Sequence, residues 1–293
     1  MPVRKPLELA SQALRDKTLS PKTVAFKIVV QCRRAVQLAT AEAITSGRRE
    51  GVDTPGLELY LADIWEWFNC VVEKDFSRHD FFVQVLLAVR ATYNEDTEWT
   101  IRGKPFDWAN PGPFWGVTDG EIMECSPEDP CDDEGEWIRP YDAKLGKSIL
   151  AGDPPPDTPE GRGWARSRAR FLNYNVFCAR LWALGIGDNS YWAMVMVNVY
   201  LEPLSLPEDE WRTNSRHSTH PRELKMEAAM AWLRIAGARM LACRKTWDRN
   251  DERKGMALRV SFGTWKGVSG YHPDRWAYWK DILRALVEGE KGE

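Results

Sequence analysis

Asn173, Asn175, Arg180 and Asn198 are polar side chains in a stretch that is otherwise almost wholly apolar. They lie between Phe171 and Tyr200, which reads as two apolar helices broken at Gly185-Ile186-Gly187-Asp188. A carboxamide or guanidinium buried among apolar neighbours needs a partner. One solution is an internal hydrogen-bond network joining helix to helix, with Asp188 as a further member. The other is a ligand. In that case Tyr174, Trp182, Trp192 and Tyr200 form the walls of an apolar pocket with a few convergent polar groups, the usual make-up of a small-molecule site. Just upstream stand Arg166, Arg168 and Arg170. On a helix Arg166 and Arg170 share a face, where they form either a solvated helix start or a clamp for a phosphate or carboxylate.

Other spellings of known chemistry are weaker. Asp132-Asp133-Glu134-Gly135-Glu136 matches the DDxxE pattern by which terpene synthases grip Mg²⁺ and diphosphate, which requires a helix to align the carboxylates. Pro127, Pro130, Gly135 and Pro140 point instead to a solvated acidic loop, with adventitious Ca²⁺ binding as the next reading. A third reading docks this loop on the arginines as a lid. Gly146-Lys147-Ser148 resembles the end of a P-loop, but Tyr141 stands where the first glycine is required and no strand precedes it. His217 and His220 form an HxxH without a visible third ligand, so no metal site is expected. His220 and His272 each precede a proline that opens a helix. With four histidines, all in loops or at helix ends, no Ser/His/Asp or Cys/His arrangement is legible. The catalytic residues, if any, are left unassigned, and no cofactor is expected.

These residues must be held by helices. Ser20-Pro21 supplies an N-cap oxygen and a proline that suits the first turn. Val24, Ile28, Cys32, Val36 and Ala39 follow at helical spacing, up to Ser46-Gly47. A second helix after Thr54-Pro55 presents Leu57, Leu61, Ile64, Trp65, Phe68 and Val72. A third begins near Ser77 with Phe81, Phe82, Val85, Leu86 and Val89, and ends by Asn94. Residues 94–163, rich in Pro, Gly and acidic residues, are too long and aperiodic for an ordinary connection. They read as an excursion with one short helix, either mobile or pinned by Trp99, Trp108, Trp115 and Trp137. Between Val117 and Trp137 it contains no Lys or Arg. Helical signal resumes at Trp164 and runs to Leu184. The next helix starts at Asp188 or Asn189 and stops before Pro203, so the two should form a buried central hairpin. Pro221 opens a long helix with Leu224, Ala228, Ala231, Ile235, Ala238 and Ala242 on one face, flanked by Trp232 and Met240. The last helix begins at Pro273 with Trp276, Trp279, Ile282, Leu283 and Leu286.

Strand signals are weak, so the expected class is all-α: one irregular helical domain over residues 1–293. Within it, residues 20–93 hold the N-terminal helices, 94–163 the acidic insertion, and 164–288 the central and C-terminal helices. The fifteen tryptophans suit a Trp-rich helical core or an aromatic cage. A formal charge of −3 does not favour nucleic-acid binding by bulk electrostatics. Of six cysteines, Cys32, Cys70, Cys178 and Cys243 fall in helices and read as buried free thiols, while Cys125 and Cys131 lie in the loop. There is no CxxC pair. The segment from Met1 through Leu14 lacks a signal-peptide core, and no run approaches membrane-spanning length. The cytosol is the expected compartment.

Three landmarks stand together: Asn173-Tyr-Asn-Val-Phe-Cys-Ala-Arg-Leu181 with Gly185 and Asp188 behind it, the helix at Ala228–Gly237, and Asp274-Arg-Trp-Ala-Tyr-Trp-Lys-Asp281. In order and character they resemble the DUF3632 family of filamentous fungi, over roughly residues 55–288, with the acidic excursion as the main departure. The resemblance implies a fungal, cytosolic, helical protein. Some relatives are encoded beside polyketide–peptide biosynthetic genes, which suggests a role in secondary metabolism. The family offers no catalytic residues to carry over. Two main functions remain open, with a nucleic-acid-dependent enzyme, for which only the arginine cluster speaks, as a weaker third. One is a small-molecule enzyme or binding protein, with Arg180 or the Arg166–Arg170 cluster holding an anionic metabolite. The other is a protein-interaction module that uses the acidic loop or a Trp-bearing surface. A pocket lined by Asn175, Arg180 and Asn198 favours the first. An exposed apolar patch, with those groups tied to each other, favours the second.

Overall fold

The computed structural model describes residues 4–47, 51, 53–92, 95–109, 141–142, 147–148, 157, 159–202, 222–247 and 264–289. The described residues are mostly helical, as the sequence implies, with two minimal hairpins. The chain divides into two compact units, Met1–Ile122 with Gly185–Gly187 and Met123–Leu184 with Asp188–Glu293.

The first unit contains α1 (Arg4–Arg15), α2 (Pro21–Thr45), α3 (Leu57–Val72), a 3-10 turn (Phe76–Arg78) and α4 (His79–Arg90). Ser20 caps α2 by accepting from the Thr23 amide, and Pro21 occupies the first turn. α2 is the common partner of the other three helices and buries Val24, Ile28, Cys32 and Val36. Its Ile28 carbonyl accepts from the Tyr60 hydroxyl at 3.0 Å. Every apolar residue expected on α3 is buried, and Phe68 meets Phe82 edge to face at 4.9 Å. α1 was not foreseen. Its buried positions are Pro6, Ala10, Ser11, Ala13 and Leu14, mostly small residues that carry little hydrophobic signal.

Within the excursion, residues 95–109 form a β-hairpin, β1 (Thr100–Ile101) with β2 (Lys104–Pro105), and most of the rest of it lies outside the described residues. Asp96 gathers it by accepting from the Arg33 guanidinium at 2.9 Å and the Trp108 indole at 3.1 Å. Trp99 and Trp108 are buried and do pin this segment. Trp115, Trp137 and the acidic stretch lie outside the described residues.

The second unit contains a hairpin of β3 (Tyr141–Asp142) with β4 (Lys147–Ser148), then α5 (Pro159–Ala183), α6 (Ser190–Leu201), α7 (Arg222–Ala242) and α8 (Pro273–Gly289). α5 begins one turn earlier than expected, at a proline suited to the first turn. The expected central hairpin is corrected. α5 and α6 both pack on α7 and make little contact with each other. Apolarity all round a helix shows that it is covered, not by which neighbour. The buried face of α7 is also shifted. Ala228, Trp232, Ala236 and Met240 are buried, while Ala238 and Ala242 are exposed. Trp232 and Met240 bury more surface than alanine, and with Ala228 and Ala236 they recur every four residues and set the face.

Candidate functional site

Asn175 lies in the core of the second unit, 1% exposed. Its side-chain N–H donates to the Phe171 carbonyl at 2.9 Å, and its oxygen accepts from the Trp232 indole at 2.8 Å. Trp232 is therefore both the anchor of α7 and the partner of Asn175. Trp182 packs on Trp232 and on Tyr271, with ring centroids at 6.4 and 6.2 Å. The Tyr271 hydroxyl donates to the Ser190 carbonyl at the start of α6. Trp192 is reached through Tyr191, Trp247 and Tyr271, each in ring contact with the next. These rings fill the interior between helices.

Asp188 is exposed and pairs with Lys245 while accepting from the Ser190 amide at 3.2 Å. Partial burial pushes its carboxyl up. The hydrogen bonds from Lys245 and Ser190 outweigh that and hold it below the ordinary value. Asn198 is fully buried, Asn173 and Arg180 are half-buried, and Tyr174 is buried. The side chain of Tyr200 lies outside the described residues. Of the arginines, Arg166 is exposed, Arg170 is half-buried, and Arg168 pairs with Glu227 of α7. The structure thus brings Asn175 and Trp182 together through Trp232, and ties Asp188 to its own unit.

Sequence reasoning missed the strongest polar junction. Glu202, fully buried at the end of α6, accepts from the Arg275 guanidinium at 2.7 Å and the Trp279 indole at 2.9 Å. Arg275 is 1% exposed. A buried charge must be paired, and this pair anchors α8 to α6 across 73 residues of sequence. The available signal was Glu202 directly after a continuous apolar run. The free thiols also need correction. Cys32 and Cys178 are buried, but Cys70 is exposed and Cys243 is half-buried just past α7. Burial pushes the Cys32 thiol well above its ordinary pKa, which leaves it unreactive.

Lys147 and Ser148 form a strand and do not open a helix, which agrees with rejecting a P-loop. His272 precedes α8 and accepts from the Asp274 amide at 3.2 Å, as a cap does. His79 is buried against the Val72 carbonyl. His217, His220, Cys125, Cys131 and Asp132–Glu136 lie outside the described residues. Among the described residues, no group of three His, Cys, Asp or Glu stands close enough to hold a metal ion. No helix among them is long and apolar enough to cross a membrane.

A recess unforeseen from sequence opens in the first unit, between α1, the turn after it, and α2. Its volume is about 220 Å³. Leu9, Ala13 and Leu19 give it apolar walls, and Asp16, Lys27 and Gln31 give it polar groups. The Gln31 side-chain oxygen is buried and has no hydrogen-bond partner in the protein. Asp16 accepts from the amide and hydroxyl of Thr18 through one oxygen, at 2.9 and 2.6 Å. Those bonds, chiefly the hydroxyl's, hold its carboxyl low, with a smaller contribution from Lys27. The recess thus brings a cation and a carboxylate beside apolar walls, with Gln12 as a further polar lining residue.

No curated protein and no solved structure matches the chain. One family model does, over residues 65–283 of 293, described as a protein of unknown function, DUF3632. That match takes in the Asn173–Leu181 helix, α7 and most of α8, and with it the chain belongs to the DUF3632 family.

Proposed function

We propose that this protein binds a small molecule in the recess between α1 and α2, and that the second unit's buried polar groups serve as its frame. The observation that carries the reading is the recess itself, in which the charged side chains of Asp16 and Lys27 stand beside the apolar Leu9, Ala13 and Leu19. Asn175, Glu202 and Asp188, in contrast, are answered within the protein. The proposal extends to the setting: the cytosol of a filamentous fungus, in secondary-metabolite biosynthesis. Its support is the likeness of the Asn173–Leu181 and Asp274–Asp281 segments to fungal relatives.

Native mass spectrometry of the protein purified from a fungal host tests this. A bound small molecule, lost on Lys27→Met, is the expected result. A clean apo mass from a host that makes the protein would remove the reading.

One observation favours a second reading, a surface for an acidic protein partner. Lys22, Phe26, Val30 and Arg34 recur every four residues along α2, and Phe26 is 69% exposed. Neither Lys22 nor Arg34 has an ion-pair partner among the described residues. A cross-linker placed at residue 26 would capture such a partner, and Arg34→Glu would release it.

A further inference from the structure

We propose that the outer face of α2 docks a single acidic amphipathic helix of another protein, laid along a column from Phe26 to Ile44. This rests on the reading of α2 as a surface for an acidic partner and names the form of that partner. The buried residues of α2 lie between Val24 and Val36, and none of the residues from Gln37 to Thr45 is buried. The helix thus runs on past its packed body, yet its outer side stays apolar. Phe26 is 69% exposed, Ile44 68% and Leu38 41%. At 3.6 residues per turn, Phe26, Val30, Gln37, Ala41 and Ile44 fall within about 60° of one another. They form one straight column, about 27 Å long, in which Gln37 is the polar member. A narrow, regular column of this kind is the seam that one helix offers to another.

Charge decides the occupant. Lys22 lies at one edge of the column and Arg34 at the other. Neither has an ion-pair partner among the described residues. Carboxylates on both flanks of a partner helix answer them, as flanking charges do along a helix seam. A second copy of this chain does not. Whether α2 pairs antiparallel, with Phe26 on the second copy's Ile44, or parallel in register, Arg34 meets its own counterpart, and like charges across an interface are penalised. A helix that lies in a membrane surface presents a broad apolar face, whereas this column is narrow and carries Gln37 at its middle.

The test is photo-crosslinking of the whole protein in a fungal host, with Phe26 or Ile44 replaced by benzoylphenylalanine. Leu59, 53% exposed on α3, serves as the control position. Positions 26 and 44 should join to one segment of one protein, at sites about 18 residues apart, with Asp or Glu flanking an apolar helical period. Position 59 should not. A synthetic peptide of the captured segment should bind the purified protein, and Phe26→Asp, Ile44→Asp and Arg34→Glu should each weaken it at least about tenfold. All three side chains are exposed, so the unfolding midpoint should hold. Capture of a second copy, of lipid, of a segment poor in acids, or of different partners at the two positions overturns the proposal. If position 26 joins an acidic protein while position 44 joins nothing, the docked helix is overturned and the acidic-partner reading stands. If neither position captures anything, both are overturned.

Discussion

Asn175 commits both ends of its carboxamide inside the second unit, to the Phe171 carbonyl and the Trp232 indole. Replacing it with leucine leaves a buried indole N–H without an acceptor, at a cost of about 1–3 kcal/mol. Trp232→Phe in the same chain removes the orphaned donor, so urea unfolding should show the double variant losing less than the two single losses together. The Arg275–Glu202 pair is more demanding. Arg275→Met strands a fully buried carboxylate and should cost about 3–5 kcal/mol, whereas Arg275→Met with Glu202→Leu should recover much of that loss. At the surface, Asp188 gives a pH signature. Its folded pKa lies below the ordinary 3.8, so its ion pair with Lys245 contributes stability that is complete above pH 3.8. That contribution is lost as pH falls through the lower folded value. The stability gap between the protein and Asp188→Asn should therefore be present at neutral pH and close in acid. An unchanged gap down to full protonation would show that the pair contributes nothing.

Elements are held by a few positions with no freedom. Gly270 has φ of 131°, and a Cβ there would lie 2.4 Å from the Lys245 carbonyl and 2.6 Å from the Thr246 Cα. Its neighbours Ser269 and Tyr271 bond Trp247 and Lys245 through the backbone. Gly270→Ala must therefore displace a paired strand-like contact, and a loss of more than about 2 kcal/mol is expected in thermal unfolding. Helices with local start signals and a large-residue face were legible: Ser20-Pro21 opens α2, and Leu57, Leu61, Ile64, Trp65, Phe68 and Val72 are all inside. α1 was not, because Ala10, Ser11 and Ala13 fit closely against a neighbour without being strongly apolar. The α5–α6 hairpin was misread for a related reason. Its apolar faces were visible, but their cover, α7, begins at Arg222 and lies distant in sequence. The same separation hid the Glu202–Arg275 pair. For the recess there was no signal in spacing, since Lys27 and Gln31 on α2 meet Leu9 and Ala13 of a helix that periodicity did not reveal.

At the scale of the molecule, the family match and the recess occupy different parts of the chain. The match begins at Trp65, within α3, while the recess is built wholly from residues 9–31. The polar residues inside the matched segment that are most fully described, Asn175 and Glu202, are tied to partners of their own unit. On the proposed reading the binding feature lies outside the matched segment, at the N-terminal end. Swapping Lys27 for methionine should then weaken ligand capture with little change in the unfolding midpoint, since Lys27 is exposed and has no ion pair among the described residues. Asn175→Leu should do the reverse. The most direct measurement is a crystal structure of the protein purified from a fungal host, read in the α1–α2 recess. A molecule seated against Lys27 and the apolar wall of Leu9, Ala13 and Leu19 is the expected result. An ordered water there and nothing else, or a recess closed by neighbouring side chains, would contradict the binding function.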